Sequence, residues 1–179
     1  LLDLLNVRYV LTSPAQSISA DGWALVYDGE LRIYENRDVL PRAFMVATAE
    51  NLGGEEQVRA ATALADPLAA VLLEQMPPLV SGNTDVDLPA AVIRLDHGLN
   101  EVTVEVETPV DAYLVLTDAY ASGWKAFVRS MGAEEEQELT IYRAYGQFRA
   151  VAVPAGHQVV RFKYTPNAVK FGLYVSFMA

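Results

Sequence analysis

The chain has 179 residues, 52% of them hydrophobic and 20% charged, with a formal net charge of −10. That profile fits one large globular domain or two small ones sharing a core, and it excludes a disordered chain. The acidic balance argues against nucleic acid and anionic lipid headgroups as partners, since both require a basic face, and the absence of cysteine removes disulfides, thiolate metal sites and cysteine nucleophiles.

The chain opens on LLDLL, a short apolar helical turn with no basic leader and no small-residue cleavage site, which reads as the start of a piece from a longer protein. A strand is predicted at 7–11, then two more at 24–27 and 31–34. Asp28-Gly29 between the latter two is a hairpin signal. The segment 42–47 alternates again after Pro41. Gly53-Gly54 breaks the pattern, and 55–64 has helical composition with acidic residues in its first turn. Asp66-Pro67 stops that helix, and 69–73 reads as a buried strand. Residues 1–80 are thus expected to form an α+β subdomain.

Residues 75–87 are rich in Pro, Gly, Ser, Asn and Asp and read as a linker, with 81–87 as the segment between the two domains. Beyond it, strands are predicted at 90–95, 100–107, 112–117, 124–128, 138–142, 148–153 and 158–164. Val102, Val104 and Val106 alternate with Thr103, Glu105 and Glu107, so one face is buried and the other wet. Seven short strands with frequent turns predict an antiparallel, jelly-roll-like β-sandwich over 88–179, in a mainly β protein. The tail at 171–179 fits either a last strand or the first turns of a membrane helix. No run reaches the roughly 18 apolar residues that a membrane helix needs.

Catalytic signatures are sparse. His97 and His157 sit in turns beside glycine, outside any HExxH pattern, and read as solvated. There is no GxSxG elbow and no phosphate-binding glycine loop. Gly53-Gly54 precedes a helix but lacks the lysine and Ser/Thr of a phosphate cradle. Asn83, Asp85 and Asp87 are spaced like calcium ligands, yet Leu88 stands where that loop needs glycine and Arg94 where it needs a bidentate Glu. No metal and no cofactor is therefore expected. The acidic run Glu134, Glu135, Glu136 and Glu138 reads as a solvated hairpin tip and not as a fixed pair of glycosidase carboxylates. Aromatics carry the one positive signal: Tyr120 and Trp124 flank one turn, Tyr142 and Tyr145 another. Exposed at the end of a sandwich, such rings stack on sugar faces. Buried, Trp124 and Tyr142 are core residues of their strands.

The string LTDAYASGWKAFV, an acidic insert, and then FRAVAVPAGHQVVRFKYTPNAVKFGLYVS resemble the C-terminal extracytoplasmic region of the YfhO family. These are bacterial multi-spanning proteins related to sugar transferases of the GT-C type. The likeness runs through a Tyr–small–Gly-Trp-Lys turn at 120–125, a Phe-Arg-x-Val-x-Val-Pro-x-Gly hairpin at 148–156, a Phe-x-Tyr-x-Pro strand end at 162–166 and a Gly-x-x-x-Ser entry to a membrane helix at 172–176. LLNVRYVLT and YENRDVLPRAFMV are also similar, so the likeness spans most of the chain. Ala121-Ser122 replaces the usual Tyr-Pro of that turn.

The resemblance implies a non-enzymatic domain on the extracytoplasmic side of a bacterial cell membrane, partnered by the rest of its own membrane-embedded chain. Its implied role is to position an envelope glycan acceptor or a partner. The family's catalytic acids belong to loops this chain lacks, so no catalytic residue carries over. A purely structural or assembly module without a ligand is the competing reading. The resemblance also implies that 171–179 enters the bilayer in the longer protein, with Lys170 and Tyr174 as interfacial anchors. Cysteine labelling at Ser176 in that protein should then be slow with a membrane-impermeant reagent. Ready modification along the whole of 171–179 would refute bilayer entry.

Overall fold

A computed structural model describes residues 1–75 and 91–166. Most of the expected linker, the Asn83–Asp85–Asp87 string and the tail at 171–179 with Lys170 lie outside the described residues. The chain divides into two compact units, Leu1–Arg42 and the remainder from Ala43.

In the first unit, LLDLL forms turns and not a helix. The strands β1 (Tyr9–Thr12), β2 (Trp23–Asp28) and β3 (Arg32–Asn36) follow, in the antiparallel order β1-β3-β2. The Asp28-Gly29 signal is met: β2 and β3 form a hairpin closed at Asp28 and Arg32, whose side chains pair at 2.9 Å. The unit is pinned by a buried asparagine. Asn36 Nδ2 donates to Asp3 Oδ1 at 2.7 Å and to the Val7 carbonyl at 3.0 Å, and its Oδ1 accepts from the Asp38 amide at 3.1 Å. A buried amide with every group paired holds a chain entry in one register.

The second unit begins with β4 (Ala43–Val46) and β5 (Ala49–Asn51), followed by helix α1 (Glu55–Thr62) and β6 (Val71–Leu73). Glu55 and Glu56 occupy the first turn of α1, where the helix dipole favours acids, and Arg59 pairs back to Glu55 one turn earlier. Val58 and Thr62 form its buried stripe. The segment β5-α1-β6 is a parallel crossover, and the other strand pairs among the described residues are antiparallel.

The expected α+β subdomain over 1–80 is therefore corrected. By contact the boundary falls at Arg42, because β4 is zipped to a strand about seventy residues later, and β5 and β6 lie in that same sheet at its other edge. Local composition marks a linker at 75–87 but says nothing of such long-range pairing.

The remaining strands are β7 (Ala91–His97), β8 (Glu101–Thr108), β9 (Ala112–Ala119), β10 (Trp124–Ser130), β11 (Gln137–Leu139), β12 (Tyr142–Ala144), β13 (Phe148–Val153) and β14 (Gly156–Tyr164). They build a five-stranded sheet, β11-β10-β14-β8-β7, and a six-stranded sheet, β4-β9-β13-β12-β6-β5. The single strand expected at 138–142 is two short strands, one in each sheet, so the chain changes sheets at Thr140-Ile141.

Alternation decides which side chains meet. Val102, Val104, Val106, Ala126, Val128, Val160 and Phe162 of one sheet pack on Ala43, Met45, Ala112, Leu114, Leu116, Val151 and Val153 of the other. This is the β-sandwich that the strand spacing predicts. The opposite face of the six-stranded sheet is buried too, at Phe44, Val46, Tyr113, Val115 and Ala150. Burial pushes the Tyr113 hydroxyl up to about 12, with neighbouring Tyr142 adding to it. No helix among the described residues is long and apolar enough to cross a membrane.

Phe162 has no exposed surface and Leu99 is fully exposed. Phe162→Ala should therefore cost about 3–5 kcal/mol in urea unfolding, whereas Leu99→Ser should stay within about 0.5 kcal/mol. Equal midpoints for the two variants would place the core elsewhere.

Candidate functional site

The inward phase of the strands carries polar residues to one end of the sandwich. On β9 the series Ala112, Leu114, Leu116 continues to Asp118, and on β13 the series Val153, Val151 continues to Arg149. From the facing sheet come Trp124 at the start of β10, Phe162 and Tyr164 at the end of β14, and His97 at the end of β7. The register lines these up: Trp124 opposes Tyr164, Phe162 opposes Val102, and Val102 opposes His97.

Arg149 is the centre of this cluster and is 1% exposed. Its Nη2 donates to Asp118 Oδ2 at 2.7 Å, and His97 Nε2 lies 3.2 Å from the same oxygen. A carboxylate only accepts, so that His97 nitrogen carries the proton. The guanidinium sits 3.9 Å from the centroid of the Trp124 ring and 5.4 Å from that of Phe162. Tyr164 meets Trp124 from another side, with centroids 5.1 Å apart and planes tilted by 43°. Breaking a buried pair of this kind by removing one partner costs about 3–5 kcal/mol.

The turn before Trp124 needs its glycine. Gly123 has φ +101°, and a Cβ there would stand 3.1 Å from Pro166 Cα and 3.2 Å from Tyr164 Cε2. The turn is tied at both ends: the Tyr120 amide donates to the Gln147 carbonyl and the Thr165 amide to the Gly123 carbonyl, each at 2.7 Å. Ala121-Ser122 is thus held in a defined turn.

Beside this turn lies an open groove of about 420 Å³. One wall is the stretch from Tyr120 to Lys125 and the other runs from Glu138 to Ile141. Trp124 is half-buried and Tyr120 is 41% exposed. Lys125 Nζ donates to Glu138 Oε1 at 2.9 Å, so the charged side chains lining the groove neutralise each other.

The four aromatics singled out in the sequence therefore divide. Tyr120 and Trp124 share the groove, whereas Tyr142 and Tyr145 are buried, at 8% and 3% exposure, and offer no ring to a ligand. Tyr145 has φ 50° beside Gly146, and its side chain is buried. Its hydroxyl lies 2.9 Å from the Pro67 carbonyl and 3.0 Å from the Ala70 carbonyl, tying that loop to the sheet. Burial, with a smaller contribution from Asp66, raises its ionisation well above the usual tyrosine range. A turn aromatic in a positive-φ position cannot be told from an exposed one by spacing alone.

The histidines and the acidic run are more engaged than the sequence suggests. His157 Nε2 lies 2.7 Å from Glu105 Oε1, and His97 belongs to the Asp118 cluster. Glu134 and Glu135 are exposed, but Glu138 pairs with Lys125 and Glu136 meets Arg161 through two bonds, one of 2.9 Å. Arg161 also reaches Glu101 at 3.2 Å and covers the Phe127 ring at 4.9 Å. Among the described residues, no group of three or more acids and histidines is placed to hold a metal ion. Among the described residues, Glu138 is the carboxylate that lines the groove.

No protein-family model matches the chain, and neither does any curated protein or solved structure.

The hydrogen bond from Arg161 holds the Glu136 carboxyl below its ordinary value of 4.5. A depressed carboxylate stabilises the fold above its unfolded value and loses that contribution as the pH falls through its folded one. Acid unfolding followed by circular dichroism should steepen below about pH 4.5. Glu136→Gln should flatten this dependence while lowering stability at neutral pH. An unchanged acid limb in that variant would show the pair to be idle.

Proposed function

We propose that this chain is a non-catalytic, extracytoplasmic module of a polytopic bacterial membrane protein of the glycosyltransferase-like kind, and that its groove holds a segment of a neutral envelope glycan. The observation that carries the binding reading is the pairing of Tyr120 and Trp124 in one groove of about 420 Å³, a size within the roughly 300–1,000 Å³ of small-molecule sites. Aromatic faces take the apolar C–H side of a pyranose ring. Ser122, Thr140, Lys125 and Glu138 supply donors and acceptors for its hydroxyls. Because Lys125 and Glu138 cancel, and the chain as a whole is acidic, a neutral sugar suits the groove better than a polyanion. Attachment to a membrane protein rests on the resemblance of 120–125, 148–156 and 162–166 to the extracytoplasmic region of the YfhO family.

The structural-module reading draws on the burial of Tyr142 and Tyr145 and on the contacts of Trp124 with the core. Titration separates the two. With Trp23 replaced by Phe, Trp124 is the sole indole of the chain. Its emission should shift on adding neutral oligosaccharides of hexose and N-acetylhexosamine. Tyr120→Ala, at an exposed position, should weaken that binding by about tenfold, close to the upper end of what one aromatic contact contributes. No emission change with any neutral oligosaccharide at millimolar concentration would remove the glycan reading and leave the structural module.

A further inference from the structure

The same side chain that closes the core also touches the groove, through Trp124. Arg149 is buried on the inward phase of β13, with Nη2 held by Asp118 at 2.7 Å and its guanidinium 3.9 Å from the centre of the Trp124 ring. At that distance the planar cation and the indole are in face contact, desolvated on the protein side. His97 fixes Asp118 from the facing sheet through the same carboxylate oxygen, so the acid is held between two donors. Tyr164 closes the indole from a second direction at 5.1 Å. The ring so clamped is the one that lines the groove with Tyr120. A stacking site gains affinity when its ring is fixed before the ligand arrives, because no rotamer then has to be frozen on binding.

We infer that Arg149 is the positioning residue of the groove: it fixes the plane in which the Trp124 indole is offered to the ligand, and Asp118 with His97 fixes Arg149. The ligand arm of this inference rests on the glycan reading, while the ring-fixing arm stands without it. A lysine at position 149 would keep the charge and the reach toward Asp118 but has no flat group to lay on an indole. A core residue farther from the ring contributes stability alone, such as fully buried Val104, which the register aligns with Val128, four residues along β10 from Trp124.

The test compares Arg149→Lys with Val104→Ala, both in the Trp23→Phe background, by near-ultraviolet circular dichroism and by acrylamide quenching of Trp124. Both variants should lower the melting temperature. Only Arg149→Lys should lose the indole dichroism and raise the quenching constant, and it should weaken oligosaccharide binding by about tenfold, the scale of a desolvated cation–π contact. Should Arg149→Lys fail to fold, His97→Ala decides: its side chain is 40% exposed, and it removes a donor to Asp118. It should loosen Trp124 in the same direction by a smaller amount. The inference is overturned if the deciding variant leaves the Trp124 signals as Val104→Ala does, or if it loosens the ring while oligosaccharide affinity is unchanged. If the parent protein binds no oligosaccharide, the glycan reading falls, and the two Trp124 signals alone still decide whether Arg149 sets the ring.

Discussion

Two sheets of this protein meet through alternate side chains, and at one end that alternation delivers an arginine and an aspartate instead of two more aliphatics. Along most of the interface, Val102, Val104 and Val106 face Leu114, Leu116, Val151 and Val153. Each fully buried aliphatic there contributes about 1.5–3 kcal/mol relative to exposure. Arg149 and Asp118 occupy the same inward phase, so their charges are buried by the geometry that buries the valines. The pair is tolerable because the guanidinium has a carboxylate on one atom and rings on its face. The apolar interface therefore ends in a polar, aromatic plug, and the groove opens beside it.

That plug explains why the turn at 120–125 is built as it is. Trp124 must start β10 and lie on Arg149, so the chain has to turn sharply just before it. Gly123 makes the turn with a positive φ and lets Tyr164 and Pro166 approach. Ser122 and Tyr120 are then left on the outside of the turn, where they line the groove. Groove and core share residues, so they should respond together to change at 118, 124 and 149.

The cations are largely spent on partners. Arg8, Arg32, Arg59, Arg94, Lys125, Arg143, Arg149 and Arg161 all pair with acids among the described residues. On the outer face of the five-stranded sheet, Arg161 alone serves Glu101 and Glu136 and covers Phe127. The net charge of −10 is thus an excess of carboxylates left over after pairing. Such a surface repels polyanions and favours solubility, which is consistent with a neutral ligand in a groove whose own charges cancel.

The sequence by itself determined most of the strands. Alternation at Val102 to Glu107, the Asp28-Gly29 turn and the acidic first turn of α1 are local signals, and local signals fix period and termini. It also marked Tyr120 and Trp124, because two aromatics beside a glycine turn are legible without coordinates. The phases of β9 and β13 carry a further signal: an acid and a base, each continuing an aliphatic inward series, are placed to meet. Three things were decided only by the tertiary structure. It joined β4 to β9 and so moved the unit boundary to Arg42. It split the expected strand at 138–142 between two sheets. It also sent Tyr142 and Tyr145 inward while leaving Tyr120 out. The physical reason is common to all three: which face of a strand is buried, and which strand lies beside it, depends on residues far away in the chain, and no local pattern records that.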